Sequence, residues 1–514
     1  MPARIPSSTP MPLRLAIFLV TLVASCVREG GIDRIVVAIE SVPETLDRRM
    51  ALSQNAMRVA QLVTPGLTRI DEDGRAVPDL ALAFEAVDDR TWIFQLRPGL
   101  FFSDGTPLRA RDVRATFLSV LDPALGSPHR GGYSYIEDVE VPDDLTVIFR
   151  LREPFGAFPV DAGLGILPER LADPARRDDV RLRPVGAGPY VVERWDGEGE
   201  ILLAPNERYH LGPPREALAI RTVRDETTRI LELRKGRVHA VLGAITPALL
   251  PGLRKLEDLE VTVSPGAGVS YLMFNLDDPV LARREVREAI ALAVDREALA
   301  LHKFKGAARV AHSLLREGHW AYAPDLPVWD RDLEEARARL RRVFPDGAPI
   351  RLTLKTSTDR FRRSIALALK AQLAEAGIDL TVQSLEWGTL MGDLKKGNFQ
   401  LATLKWTPVI DPDILRLAYH SDSIPTAENG WGGGNRGRYR NPELDAILME
   451  ARRKSNPEER RPLYARAQHI LARDLPALPL LHEESIGIVS RRVRGIRIDP
   501  QGSLRSLAQA WRAE

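Results

Sequence analysis

Apolar residues recur along the chain in two rhythms, and these place the regular elements. Ile35 to Ile39 is a short β-branched run that reads as a strand. Trp92, Phe94 and Leu96 alternate with Gln95 and Arg97 until Pro98-Gly99 breaks the run, which predicts a strand and a turn. A helix follows from about Ala110, with Val113, Phe117 and Val120 on one face. Leu145, Val147, Phe149 and Leu151 alternate as a further strand. The pattern is clearest between 350 and 406. Ile350, Leu352 and Leu354 form a strand, and Ser357, Thr358 and Asp359 offer N-caps for a helix carrying Phe361, Ile365, Leu369 and Leu373. Gly377 follows as a helix terminator, Ile378, Leu380 and Val382 as the next strand, a short helix to about Lys396, Gly397, and a strand from Phe399 to Trp406. This β-α-β-α-β order predicts a parallel sheet with flanking helices, whose ligands sit beyond the carboxyl ends of the strands. The loop from Trp406 to Asp413 lies at such an end. A strand from Val269 to Asn275 and one helix from about Arg283 to Leu301 are also expected, with linkers near 211–214 and 264–268.

At 514 residues, 44% apolar and 28% charged, the chain has the size and balance of a soluble multi-domain protein. Its 72 basic and 70 acidic residues show no domain-scale basic excess, so a nucleic-acid partner is not expected. Arg dominates the basic set, 62 against ten Lys, a bias we read as base composition of the source genome. The one cysteine, Cys26, is placed tellingly. Arg14 precedes the uncharged run Leu15 to Val23, and Ala24 and Ser25 lead into Cys26. That is the layout of a secretory signal, too short to span a bilayer. Val23-Ala24-Ser25-Cys26 resembles a bacterial lipobox, which makes 1–25 the signal and Cys26 the lipidated mature N-terminus. An ordinary signal peptide ending near a cysteine is the plainer alternative.

Catalytic patterns are missing. There is no Gly-x-Ser-x-Gly elbow, and the nine His show no zinc-helix spacing. Gly432-Gly433-Gly434 follows Trp431 without the Lys-Ser/Thr pair of a phosphate loop. Asp411 and Asp413 flank Pro412 and could be paired carboxylates, although Asp-Pro steps also start turns. A binding protein fits better than an enzyme, and no metal or cofactor is called for.

The stretch Trp92-Ile-Phe-Gln-Leu-Arg-Pro-Gly-Leu-Phe-Phe-Ser-Asp-Gly-Thr-Pro-Leu-Arg-Ala-Arg-Asp-Val113 resembles the signature of bacterial extracellular solute-binding protein family 5, receptors of peptide- and nickel-type ABC importers. Further blocks follow in family order: Val185 to Tyr190, Tyr271 to Asn275, Val286 to Ile290 with Val294-Asp-Arg296, Asn441 to Asp445 and Leu478-Pro-Leu480. The resemblance implies an α/β fold, a two-lobed type II periplasmic binding clamshell with an extra inserted domain. Lobe I would comprise 26–49, 176–268 and 481–514, the inserted domain 50–175, and the third body 269–480. It also implies a peptide or small-molecule ligand in an inter-lobe cleft, an ABC permease and ATPase as partners, and a monomer at the periplasmic or cell-surface face of the membrane, held by its lipid alone.

In peptide-binding relatives the loop after the tryptophan strand carries an Asp that pairs with the ligand amine. Here that loop, Trp406-Thr-Pro-Val-Ile-Asp-Pro412, is one residue short, and Val409 stands at the Asp position unless Asp411 substitutes. Arg48 for Pro, Ala187 for Thr and Pro65 in a turn are other departures, with Pro65 expected to face the cleft. The ligand-binding candidates are Trp406, Asp411, Trp431, Asn435, Tyr271 and Asn275, with Trp387 as an addition. Trp406 fits strand-end packing as well as ligand stacking, and Tyr271 and Asn275 fit inter-lobe hydrogen bonding as well. Arg436, Arg438 and Arg440 fit an anion site or a solvated basic face. A nickel chelate, a periplasmic sensor or chaperone of the same fold, and a secreted hydrolase are the rival functions.

Overall fold

The computed structural model describes residues 34–513. The signal segment and Cys26 lie outside the described residues. The β-α-β-α-β reading holds closely: strand Ile350–Ser357, helix Arg360–Glu375 capped by the Asp359 side chain, strand Ile378–Leu385, helix Trp387–Lys396 ended by Gly397 at φ 78°, and strand Leu401–Trp406. The first of these strands pairs in parallel with both others. Alternation puts Leu352, Leu354, Leu380 and Leu401 into one core with Ile365, Leu369 and Leu373 of the first helix.

Two expectations need correction. The helix expected over 283–301 is two helices, Arg284–Ala293 and Arg296–His302, because the Asp295 side chain accepts from the Ala298 amide and caps a second start. The expected linker at 264–268 is the middle of one long strand, Leu259–Phe274, which runs antiparallel beside Ala477–Ser490. Pro265 and Gly266 there sit in an irregularity of the pairing between Ser264 and Gly268. A Cβ on Gly266 would lie 2.2 Å from the Glu483 carbonyl oxygen, so the close approach of the two backbones demands glycine.

These two long strands cross between lobes and join their sheets into one of eleven strands. On one side the sheet continues through Leu401–Trp406 into the parallel unit, and on the other through Ala240–Leu242, Ile35–Ile39 and Leu218–Thr222 to an antiparallel edge. The core of the first lobe gathers Ile35 to Val63, Tyr190 to Leu242 and Val489 to Ala510. A separate core, from Leu67 to Ala187, belongs to the extra domain, a four-stranded antiparallel sheet covered by the helix Ala110–Leu121. That core begins after the helix Gln54–Ala60, which packs with the first lobe, where the sequence placed the insertion at 50. Residues between 269 and 481 fill two further cores. Among the described residues no helix is long and apolar enough to cross a membrane.

Candidate functional site

A cavity of about 590 Å³ opens where the two crossing strands pass between lobes, within the roughly 300–1,000 Å³ typical of small-ligand sites. One wall comes from the first lobe. Arg58, on the helix Gln54–Ala60, is buried and donates to the Leu242 carbonyl at 2.8 Å, while its Nε has no partner. Arg229, on the helix Glu226–Arg234, donates to the Val223, Arg224 and Ala244 carbonyls, and its Nε is also unpaired. Neither guanidinium hydrogen-bonds a carboxylate. Burial pulls the Arg58 pKa down, against the attraction of Glu40 and Asp499. Glu226 accepts from the amide and hydroxyl of Thr246 and steadies the loop between these arginines.

The facing wall comes from the third body. Asp359 and Phe361 stand at the start of their helix, and Lys405, Thr407 and Pro408 at the end of the last parallel strand. Between the walls, Glu483 on a crossing strand takes Arg362 at 2.5 and 3.0 Å and Lys405 at 2.8 Å. Burial pushes the Glu483 carboxyl up, but the Arg362 hydrogen bond and Lys405 outweigh it and hold the pKa below its ordinary value. One buried carboxylate thus serves two cations. The cavity as a whole carries charges of both signs on opposed walls, suited to a ligand that is itself charged at both ends.

None of the six predicted ligand residues lines this cavity. Trp406 stacks on Tyr271 (centroids 6.4 Å, 9° between planes) beneath the Arg436 guanidinium, 5.6 Å away. Its strand neighbours Lys405 and Thr407 are the ones that face the cleft, because successive residues of a strand point to opposite faces. Asn435 donates to the Tyr419, His420 and Tyr439 carbonyls, and Asn275 to those of Gly397 and Phe399, so both amides hold loops together. Trp431 adopts φ 60° in a tight turn, its amide donating to Thr426. Asp411 is held by Arg460 in a bidentate pair at 2.7 and 3.1 Å, against the extra domain rather than in the cleft. Val409 is buried, its amide tied to the Ala267 carbonyl. Trp387 is exposed at a helix start, Arg438 and Arg440 pair with Asp277, and Pro65 is buried under the Ile166 amide. Sequence reasoning missed Arg58, Arg229, Arg362, Lys405 and Glu483. No local signal distinguishes these arginines among 62.

Known proteins share this architecture. A probable di/tripeptide-binding protein 5 of Pseudomonas aeruginosa is 28% identical over 461 residues, covering 84% of this chain and 86% of that one. The ABC transporter substrate-binding protein CtaP of Listeria monocytogenes superposes with a TM-score of 0.83 at 24% identity, over 93% of this chain and 99% of that one. NikZ of Campylobacter jejuni, solved with Ni(L-His), gives 0.76 at 25% identity over 92% and 98%. These likenesses identify the fold as the type II periplasmic binding class with an extra domain. The model for bacterial extracellular solute-binding proteins, family 5 Middle, matches residues 75–423. The chain therefore belongs to the bacterial extracellular solute-binding proteins of family 5.

Proposed function

We propose that the chain captures a short peptide or peptide-like zwitterion between its lobes and presents it to the permease of an ABC importer. The observation that carries this is the cleft's paired polarity. The guanidinium groups of Arg58 and Arg229, held by backbone carbonyls rather than carboxylates, lie on one wall beside Glu40 and Glu226, and acidic Asp359 and the Glu483–Arg362–Lys405 group lie across from them. A ligand carboxylate and ammonium can each meet an opposite charge, and a ligand touching both walls stabilises the closed form over the open one. The relatives agree with this reading, since several are described as di/tripeptide- or glutathione-binding proteins. Binding without turnover is part of this reading. So are export by the segment 1–25 and lipid attachment at Cys26, for which radiolabelled-palmitate incorporation should vanish in Cys26→Ser.

The test is native mass spectrometry of the gently purified chain, followed by a thermal-shift panel of dipeptides and tripeptides. A retained peptide mass supports the reading. A peptide at a hundredfold excess over its Kd should stabilise by about 2.7 kcal/mol. A metal-chelate mass instead would favour the second reading, for which the likeness to NikZ speaks. Silence from both the mass spectrum and the peptide panel would count against a peptide ligand.

A further inference from the structure

A second cavity, of about 300 Å³, opens beyond the far end of the strand Leu259–Phe274 and shares no lining residue with the cleft. Arginines dominate its wall. Arg284 and Arg287 come from the helix Arg284–Ala293, Arg438 and Arg440 from the loop after the glycine run, and Asp474 is the one acidic residue beside them. That carboxylate is already occupied, by Arg473 on one oxygen and by the Tyr439 hydroxyl and the Asn441 amide on the other. Two more carboxylates reach the lining arginines from outside. Asp277 serves both Arg438 and Arg440, and Glu288 serves Arg284 together with Arg339. Arg287, 6% exposed, meets no carboxylate, because its guanidinium donates to the Leu281, Ala282, Asp474 and Leu475 carbonyls. The wall is thus left with positive charge in excess, and donors remain to deliver it. Both Nη atoms of Arg284, Nη1 of Arg438, and Nε and Nη2 of Arg440 make no hydrogen bond to a described residue. The Arg284 and Arg440 side chains are 47% and 56% exposed, so solvent rather than protein meets their charge. One guanidinium fork satisfies a planar carboxylate, whereas donors converging from a helix and a separate loop suit a tetrahedral group. A phosphate monoester brings three strong acceptor oxygens and close to two negative charges, and so gains more from this excess than a carboxylate does.

We infer that this arginine-lined cavity of the third body is a second binding site, for a phosphate group in its dianionic form. Arg284 holds the group from the helix, Arg438 and Arg440 hold it from the loop, and Arg287 adds attraction without giving up its carbonyl bonds. A soluble phosphate monoester and the headgroup of phosphatidic acid present the same three oxygens, and either can supply them. The inference stands apart from whatever the cleft binds.

The probe is inorganic phosphate, titrated by calorimetry into the full-length chain in a chloride-containing buffer at mildly alkaline pH. Saturable heat is expected. The double variant Arg284→Gln/Arg440→Gln, which alters two exposed side chains, should weaken binding roughly tenfold. Ala282→Glu, which sets a competing carboxylate on the wall and keeps every arginine, should weaken it as well. Arg362→Ala, in the cleft, should leave phosphate binding unchanged, which separates this site from the cleft's own cations. Flotation of the Cys26→Ser chain with phosphatidic acid vesicles then distinguishes the sources. Capture that free phosphate reverses and the double variant loses assigns the site to a lipid headgroup, and no capture assigns it to a soluble phosphate. The inference is overturned if millimolar phosphate gives no saturable heat, or if the double variant or Ala282→Glu binds like the parent. It is equally overturned if Arg362→Ala abolishes the heat.

Discussion

The cleft and the seam between the extra domain and the third body both hold buried arginines beside carboxylates, yet they divide the charge differently. At the seam each aspartate meets one cation: Asp411 pairs with Arg460, and Asp413 with Arg452 at 2.6 Å, an arginine that also reaches Glu153 at 3.4 Å. In the cleft Glu483 is shared by Arg362 and Lys405, while Arg58 and Arg229 rest on backbone carbonyls. A closed pair has little left to offer a ligand ion, and its removal damages the fold. An incompletely neutralised cluster keeps attraction in reserve for a ligand. Family resemblance draws attention to Asp411, but its pairing with Arg460 places it away from the cleft.

The strongest way to break this contrast is Arg460→Ala. It strands the Asp411 carboxylate in the interior, and losing one member of a buried pair costs about 3–5 kcal/mol. Urea unfolding should show that loss; a change below about 1 kcal/mol would mean the seam pair is dispensable. A second, opposite effect is expected at Asp161, which accepts from the Tyr135 hydroxyl at 2.5 Å. Burial raises its pKa to about 6, with Asp411 and Asp413 adding to the rise. The folded state then holds a proton that the unfolded chain releases near pH 4, so stability falls as pH climbs from about 4 to about 6 and stays reduced above that. Asp161→Asn should therefore stabilise by about 2–3 kcal/mol at pH 7.5 and have almost no effect at pH 4, read from melting curves at both.

Trp406→Ala comes next. Its stacking on Tyr271 under Arg436 predicts a loss of about 2 kcal/mol in the ligand-free protein, with peptide affinity unchanged. Intact stability with weakened binding would put Trp406 back in the ligand site. Arg362→Ala should do the reverse by a smaller margin. Calorimetry with the tightest peptide of the panel should show roughly tenfold weaker binding, about 1.4 kcal/mol, with a modest change in melting temperature. Equal affinity would remove the Glu483 cluster from the site.

How far the sequence could be read depends on the range of the forces involved. The parallel unit from Ile350 to Trp406 was legible almost residue by residue because alternation, the Asp359 cap and Gly397 are local signals. The break at Asp295 was hidden because apolar spacing continues across it, and only the side chain's capping bond reveals the restart. The crossing strand was hidden too, since Pro265 and Gly266 look like punctuation until Glu483, far along the chain, closes upon them. Site residues fared worst. The loop after Trp406 reaches the cleft through Thr407 and Pro408, but parity decides which side of a strand a residue faces, and Trp406 draws attention from Lys405 and Thr407. Arg58 and Arg229 become visible only when distant carbonyls such as Leu242 and Ala244 are brought to them.

The irregular step at Ser264–Gly268, opposite Glu483 to Ser485, has a mechanical meaning. Two hydrogen-bonded strands form a ribbon that flexes out of its plane far more readily than its members slide past each other. Set between two lobes, such a ribbon favours bending over sliding. The break in its pairing faces Glu483, the carboxylate that gathers Arg362 and Lys405. The joint between the lobes and the charge cluster are thus the same few residues, so a ligand that rearranges those charges acts directly on the strands that join the lobes.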